Sequence, residues 1–523
     1  MGRLPPAHLS AELKVGRRVE APPHKEEVAM SAESQDKTRR GFLKRSVAGG
    51  VTAGASVAAL LPQIAGAQAR GDATLDRLQK ARKILLKGGI VMSLDPAVGD
   101  FAKADVLIEG KKISAIAPDL SSAAQSAVVV DASGLIVMPG FVDTHHHQYE
   151  TVLRSILADG NLGAFNDAPK NYVTVIQGIF TPAYKPEDAY ISELVASLSQ
   201  LNAGVTTTID LSQVSHTPAH SDACIQGLKE SGRRAVYSYS AGIMGTAFPG
   251  DIKRIKAQFF SSNDQLVTLA LNTGTNADDW KLAREVNVPI TSHIVGERFG
   301  ALEDMGRKGL MGPDNEYVHC TQLNETVWKM IQDTGGKVSI APAIEMQMRH
   351  GMPPFQQALD HGIRPSLSVD VECNMTSDMF SIMRSAFTLQ RALVNERALT
   401  EKDVPRLLTC RDTIELATIE GARVAHLDSK IGTLTPGKEA DIIMLATDRI
   451  NVFPMNNVPG TVVTMMDTSN VENVFVAGQA RKWGGKLVGV DLPRIRRQIE
   501  QARDGLLART NYKKDLFGSC CAV

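Results

Sequence analysis

Val137-Met138-Pro139-Gly140-Phe141-Val142-Asp143-Thr144-His145-His146-His147 is the run on which the reading of this chain turns. Apolar residues lead into a Pro-Gly pair, a short β-like segment follows, and a cluster of imidazoles closes it. Side chains alternate faces along an extended strand, so His145 and His147 point the same way. Two imidazoles one strand-pitch apart can share one metal ion, while His146 faces away and packs. The strand-like lead-in distinguishes this run from a chance cluster of histidines on a loop.

Working outward, the chain from about Phe141 to Leu427 alternates strand-like and helix-like segments. Pro186-Glu187-Asp188 opens a helix that runs to Asn202, with acids in its first turn and Gly204 past its end. The runs beginning Gly204, Arg233, Leu266, Val288, Glu316, Lys337 and Arg364 read as short buried strands, separated by helical stretches such as Glu325 to Asp333. Repeated β-then-α units imply a parallel sheet, and with eight of them a closed barrel is the economical solution. The expected fold is therefore α/β, a (β/α)8 TIM-type barrel. In such barrels the site forms at the C-terminal strand ends. Strand one ends in His145 and His147, the Val288 strand in His293, the Glu316 strand in His319 and the last strand in Asp370. Only 12 histidines occur in 523 residues, yet four fall at these ends.

The stretch Pro139-Gly140-Phe141-Val142-Asp143-Thr144-His145-His146-His147 resembles the first-strand signature of the amidohydrolase superfamily, in which Asp-x-His-x-His ends strand one of the barrel. The flanks agree. Alternating strands with turns fill Lys83 to Val137, and a second β-rich part carries Gly432, Pro436-Gly437, Ala440-Asp441 and Gly478, similar to the composite β-sandwich that these proteins build from both chain ends. The implied organisation is a leader over 1–69, sandwich halves over 70–138 and 428–492, a barrel over 139–427, and a C-terminal helix and tail over 493–523. Within that superfamily the chain resembles the mononuclear branch typified by cytosine deaminase and the s-triazine hydrolases. That likeness implies His145, His147, His293 and Asp370 as ligands of one divalent metal, zinc with iron as the alternative. It places His319 beside the activated water, and Asn374 and Asp378-Met379-Phe380 in the last-strand loop. Binuclear members bridge two metals with a strand-four lysine or glutamate, which the Leu266 strand lacks.

Deaminases of this branch carry His-x-x-Glu after strand five. Here the spacing is one residue longer, His293-Ile294-Val295-Gly296-Glu297. On a continuing strand Glu297 would face the same side as His293; if the chain turns at Gly296, its direction is open, and a solvated glutamate beside Arg298 is the other reading.

The implied chemistry is hydrolysis of a C–N bond in an amide, cyclic amide, amidine or aminated heterocycle. A metal held by imidazoles and a carboxylate lowers the pKa of water from 15.7 toward about 7. Asp370 would take the proton, His319 would stabilise developing negative charge, and an inward Glu297 would protonate the leaving nitrogen. Hydrolytic dehalogenation, a metal-free scaffold role and phosphoester hydrolysis are the rivals. His216 and His220, after strand two, could orient substrate or ligands, or serve as ordinary loop and helix-start residues. The pocket walls are expected from loops after strands one, two, three and eight.

The chain has 57 basic and 57 acidic residues, 43% hydrophobic and 22% charged content, an ordinary globular balance. Zero formal net charge argues against an electrostatic nucleic-acid or membrane-surface binder and leaves a small-molecule substrate as partner. The resemblance adds homo-oligomerisation. Six scattered cysteines without CxxC spacing indicate neither a zinc ribbon nor a disulfide scaffold. Residues 1–29 are patternless, as in a disordered leader or a start upstream of the true one at Met30. Thr38-Arg39-Arg40-Gly41-Phe42-Leu43-Lys44, a Gly/Ala-rich stretch from Val47 to Ile64 and Ala67-Gln68-Ala69 then match a twin-arginine export signal with its cleavage site. Glycines and Pro62 make that stretch a poor transmembrane helix. The expected destination is the periplasm or the exterior, with no membrane association in the mature form.

Overall fold

The computed structural model describes residues 73–163, 170–242, 245, 247–262 and 264–518, with the backbone alone at 297 and 299. The leader, its twin-arginine motif and Cys520-Cys521 lie outside these residues. Apolar β-branched runs punctuated by glycine form the first five strands: β1 (Lys83–Met92), β2 (Asp100–Glu109), β3 (Lys112–Ala117), β4 (Val128–Asp131) and β5 (Leu135–Pro139). Eight parallel strands follow: β6 (Phe141–His146), β7 (Val205–Ser212), β8 (Arg234–Tyr239), β9 (Val267–Asn272), β10 (Ile290–Val295), β11 (Asn315–Thr321), β12 (Lys337–Ile340) and β13 (Ser366–Leu367). The last four are β14 (Ile442–Ala446), β15 (Val471–Val476), β16 (Gln479–Trp483) and β17 (Lys486–Leu487).

The eight parallel strands pair in sequence order from β6 to β13, with a helix after most of them, as a TIM-type barrel requires. The helix Pro186–Asn202 has the boundaries its acids and Gly204 predict. The barrel closes through point contacts rather than a ladder. A parallel bridge joins His146 to Asp370, Asp370 N donates to His145 O at 2.9 Å, and His147 N donates to Asp370 O at 2.8 Å. Side chains add to this seam. Thr144 Oγ1 lies 2.6 Å from Ser339 Oγ and 2.7 Å from Ser366 Oγ, and Asp143 Oδ1 accepts from Val369 N at 3.1 Å.

The two chain ends meet in one connected nine-stranded sheet, because β5 from the first half pairs antiparallel with β14 from the second. Its apolar core draws on both halves, with Leu86, Val106 and Val137 packed against Met444 and Phe475. β5 runs straight into β6 at Gly140, where a Cβ would meet Thr206 side-chain atoms at 2.2 Å, so this junction requires glycine. Arg234, at the start of β8, ties barrel to sheet. Its Nε donates to Asp441 Oδ2 at 2.9 Å and its Nη2 to Glu439 Oε2 at 2.6 Å, all three residues being buried. The final helix, Leu492–Thr510, packs Ile495, Ala502 and Leu506 inward and holds Asp188 through Arg509.

Candidate metal centre

Four imidazoles and one carboxylate converge at the C-terminal mouth of the barrel. His145 is the penultimate residue of β6, and its Nε2 lies 3.1 Å from Asp370 Oδ1. His147 sits just past the strand, where its Nε2 lies 3.6 Å from the same oxygen and 3.2 Å from His293 Nε2. His319 Nε2 stands 3.8 Å from Asp370 Oδ2. Ligand atoms of His145, His147 and Asp370 lie within 4.8 Å of one another, as do those of His145, His293 and His319. His146 points elsewhere, with its Nδ1 3.5 Å from Asp143 Oδ2.

Backbone conformation contributes as much as alternation. His319 and Asp370 both adopt the left-handed region, at φ 72° and 65°, which non-glycine residues rarely enter. β13 is correspondingly short, ending at Leu367, and Asp370 belongs to the irregular segment that bridges to His146. Two residues of the cluster are thus held in strained conformations by the surrounding packing.

Burial pushes His145 down to about 3 and lowers His147, His293 and His319, so these rings are neutral at ordinary pH. Burial alone would raise Asp370, but the His145 ring beside it and the other imidazoles hold its carboxyl well below the usual range. His147 Nδ1 bonds Leu211 O at 2.9 Å, which leaves Nε2 as a lone pair facing the cluster. Neutral imidazoles and an ionised carboxylate in two overlapping triads, with two Nε2 atoms 3.2 Å apart, are chemically suited to a divalent cation.

A cavity of about 450 Å³ opens over the cluster, walled by Tyr172, Gln177, Gln213, Gln322 and His350 among others. Its walls come from the segments after β6, β7, β10, β11, β12 and β13; the segment after β8 lines an adjoining recess that shares Gln213 and His293. Strands five to seven therefore contribute wall that the sequence reading did not assign to them.

The family profile described as "Amidohydrolase family" matches residues 136–481, from β5 through most of β16. The chain belongs to the amidohydrolase family. Its similar relatives include the 5'-deoxyadenosine deaminase of Methanosarcina mazei, 26% identical over 456 residues that cover 82% of this chain and 99% of the relative. A 5-methylthioadenosine/S-adenosylhomocysteine deaminase of Syntrophus aciditrophicus is 25% identical over 453 residues, covering 81% of this chain and 98% of the relative. Among solved structures, an adenosine deaminase from Xanthomonas campestris with bound zinc superposes with a TM-score of 0.71 at 20% identity, over 81% of this chain and 98% of that one. Atrazine chlorohydrolase from Arthrobacter aurescens complexed with zinc gives 0.70 at 19%, over 80% and 100%. These structures share the fold.

In this amidohydrolase several site residues escaped the sequence reading. Glu345 lies on a short helix, Pro342–Gln347, and its Oε1 is 3.0 Å from His319 Nδ1. The same oxygen accepts the Ala341 N–H at 2.9 Å; with the ring nitrogen as donor to it, His319 Nε2 is left unprotonated. His350 enters the cavity wall edge-on to His319, with ring centroids 4.7 Å apart. Glu372 binds Arg154 through Nε at 2.9 Å and Nη2 at 3.0 Å and accepts from Thr151 at 2.6 Å, locking the segment after β6 to that after β13. A carboxylate two residues past Asp370 was the available signal for Glu372; Glu345 and His350 had none.

His216 and His220 do not line the cavity. His216 Nε2 bonds Thr181 O at 2.8 Å and His220 Nε2 bonds Tyr184 O at 3.1 Å, so both brace the long segment after β6. Asp378 caps the helix Met379–Ala398 by accepting from Ser381 N, and Asn374 bonds Gly160 O at 3.3 Å. β10 ends at Val295 and the chain turns at Gly296, φ 52°, into the 3-10 turn Gly296–Arg298. Glu297 is thereby off the strand, and its side chain lies outside the described residues.

Proposed function

We propose that this amidohydrolase uses one zinc ion, held by His145, His147, His293 and Asp370, to hydrolyse an aminated heterocycle, cyclic amide or amidine. The observation that carries the reading is the convergence of neutral imidazoles on an ionised Asp370 beneath a substrate-sized cavity. Relatives named as deaminases at about a quarter identity over nearly their whole length support carbon–nitrogen hydrolysis. A divalent cation in this donor set makes water nucleophilic near neutral pH and polarises the group under attack.

The chain's own residues handle the protons. Asp370 Oδ2 and His319 Nε2 are both acceptors, 3.8 Å apart, at the floor of the cavity. Asp370 takes the proton of the attacking water, and His319 stands beside it to stabilise developing negative charge. Glu345 holds the opposite face of the His319 ring, so a proton gained at Nε2 can be donated onward to developing negative charge. Glu297, if it faces inward, would protonate the leaving nitrogen. Its replacement by glutamine is expected to cost about 10²–10⁴ in rate; an unchanged rate assigns that step to His319.

The decisive experiment is a zinc-loaded turnover panel of 5'-deoxyadenosine, 5-methylthioadenosine, lactams, amidines and chlorinated or aminated triazines, read by ammonia, amine and chloride release. Amine or ammonia release supports the reading; chloride release alone replaces it with hydrolytic dehalogenation. We further propose twin-arginine export and homo-oligomerisation. The first rests on the Arg39-Arg40-Gly41-Phe42-Leu43-Lys44 motif, and replacing both arginines by lysine should leave the protein in the cytoplasmic fraction. Among the described residues no helix is long and apolar enough to cross a membrane. Sedimentation of the purified protein tests the oligomer.

A further inference from the structure

The cavity wall contributed by the segment after β12 contains a group that the proposed mechanism leaves idle. The helix Pro342–Gln347 delivers Glu345 to His319, and the chain then reverses to set His350 into the wall. His350 is only 5% exposed, and neither of its ring nitrogens has a protein partner. One ring nitrogen of His350 lies within 4.8 Å of both a His319 nitrogen and an Asp370 oxygen, close enough that these three could also hold a cation. A buried imidazole with both nitrogens unbonded is destabilising by itself. His350 lines that cavity beside His319 and Asp370; its two nitrogens are shielded from solvent, so an occupant meets them only at the floor, next to those two residues.

The location narrows the occupant. Asp370 and His319 must flank the carbon that water attacks, if they are to handle its proton. A substituent heteroatom on that carbon then falls within hydrogen-bond reach of His350. A neutral imidazole offers one donor and one acceptor, which suits the carbonyl oxygen or ring nitrogen of a cyclic amide, amidine or aminated heterocycle.

We infer that His350 is a specificity-determining residue that hydrogen-bonds the substrate heteroatom attached to the attacked carbon. The inference rests on the metal-centred reading above. It separates His350 from the residues that hold the cation, and it gives the unpaired imidazole a partner.

The test uses zinc-loaded full-length protein and acetohydroxamate, a small chelator with an N–H and oxygens around one carbonyl carbon, with binding measured by calorimetry. His350→Leu keeps the volume and removes both hydrogen-bonding atoms; His350→Gln keeps one donor and one acceptor. The leucine variant is expected to bind the probe about tenfold more weakly at unchanged zinc content, and the glutamine variant to recover most of that loss. The leucine variant should also melt at a higher temperature, since it removes unpaired buried nitrogens, whereas a histidine with a purely structural role would melt lower on replacement. Equal affinity in wild type and His350→Leu overturns the inference alone. Loss of a zinc equivalent in His350→Leu also overturns it, by making His350 a ligand. If zinc-loaded wild type binds acetohydroxamate no better than stripped protein, the metal-centred reading falls and the inference with it.

Discussion

Asp143 offers the sharpest test of how this barrel builds its site. The side chain is fully buried. Its Oδ2 accepts from Gln200 Nε2 at 2.7 Å, and its Oδ1 accepts from Val369 N at 3.1 Å and His145 N at 3.3 Å. One carboxyl therefore ties β6 to the segment that carries Asp370, across the seam where no regular ladder forms. Asp143→Ala strands three buried donors. At about 1–3 kcal/mol each, and with neighbouring losses not fully additive, the expected destabilisation is roughly 3–5 kcal/mol. Asp143→Asn keeps an oxygen for the two backbone amides but turns an NH2 toward Gln200, whose own oxygen is engaged by Thr208 and Arg233. Its cost should be about 1–2 kcal/mol. Burial pushes the Asp143 carboxyl up to about 7, so a neutral amide is a fair substitute for its charge state near neutrality. Because the bonded amides belong to His145 and to the neighbour of Asp370, zinc affinity should fall in the same order as stability. Urea unfolding of stripped protein gives the first quantity, and competition with a chromophoric chelator gives the second. An Asp143→Ala variant within about 1 kcal/mol of wild type, or one with unaltered zinc affinity, would refute the stapling argument.

Three other outcomes are expected. His145→Ala and Asp370→Ala should each abolish zinc retention and turnover; full turnover in either variant contradicts the ligand assignment. Burial pushes Glu150 up to about 8 while its Oε1 accepts from Tyr172 at 2.5 Å. An acid whose folded pKa exceeds its unfolded value contributes stability that is complete below about pH 4.5 and is lost as pH rises through about 8. Glu150→Gln should thus flatten the decline of melting temperature between pH 5 and 9, and an unchanged slope would count against it. Arg234→Ala leaves Asp441 buried without its cation and Glu439 with Lys111 alone, 3.6 Å away, and should cost about 3–5 kcal/mol. Turnover of the folded fraction should be unaffected, because Arg234 starts its strand at the end of the barrel remote from the site; a fall in kcat at full zinc loading would show otherwise.

The eight barrel strands were legible because their signal is local: short β-branched runs, bounded by turns and separated by helical periodicity, reveal themselves within about a dozen residues. The same locality placed His145, His147, His293, His319 and Asp370 at strand ends, and a strand-end position in a parallel barrel is already a position in the site. Alternation along β6 likewise separated His146 from its neighbours.

Other features depend on residues far apart in the chain. Glu345 and His350 come from a segment after a four-residue strand and carry no periodic pattern; only the folded chain brings one to His319 and the other to the cavity wall. The turn at Gly296 takes Glu297 off its strand, and the left-handed conformations of His319 and Asp370 set where those side chains point. Sequence by itself determined which strands lead into candidate ligand residues, because side-chain alternation and burial are written residue by residue. The tertiary structure alone decided how those ends close on one another, because the contacts that do it, such as Asp143 with Val369 across 226 positions, join groups that no local pattern relates.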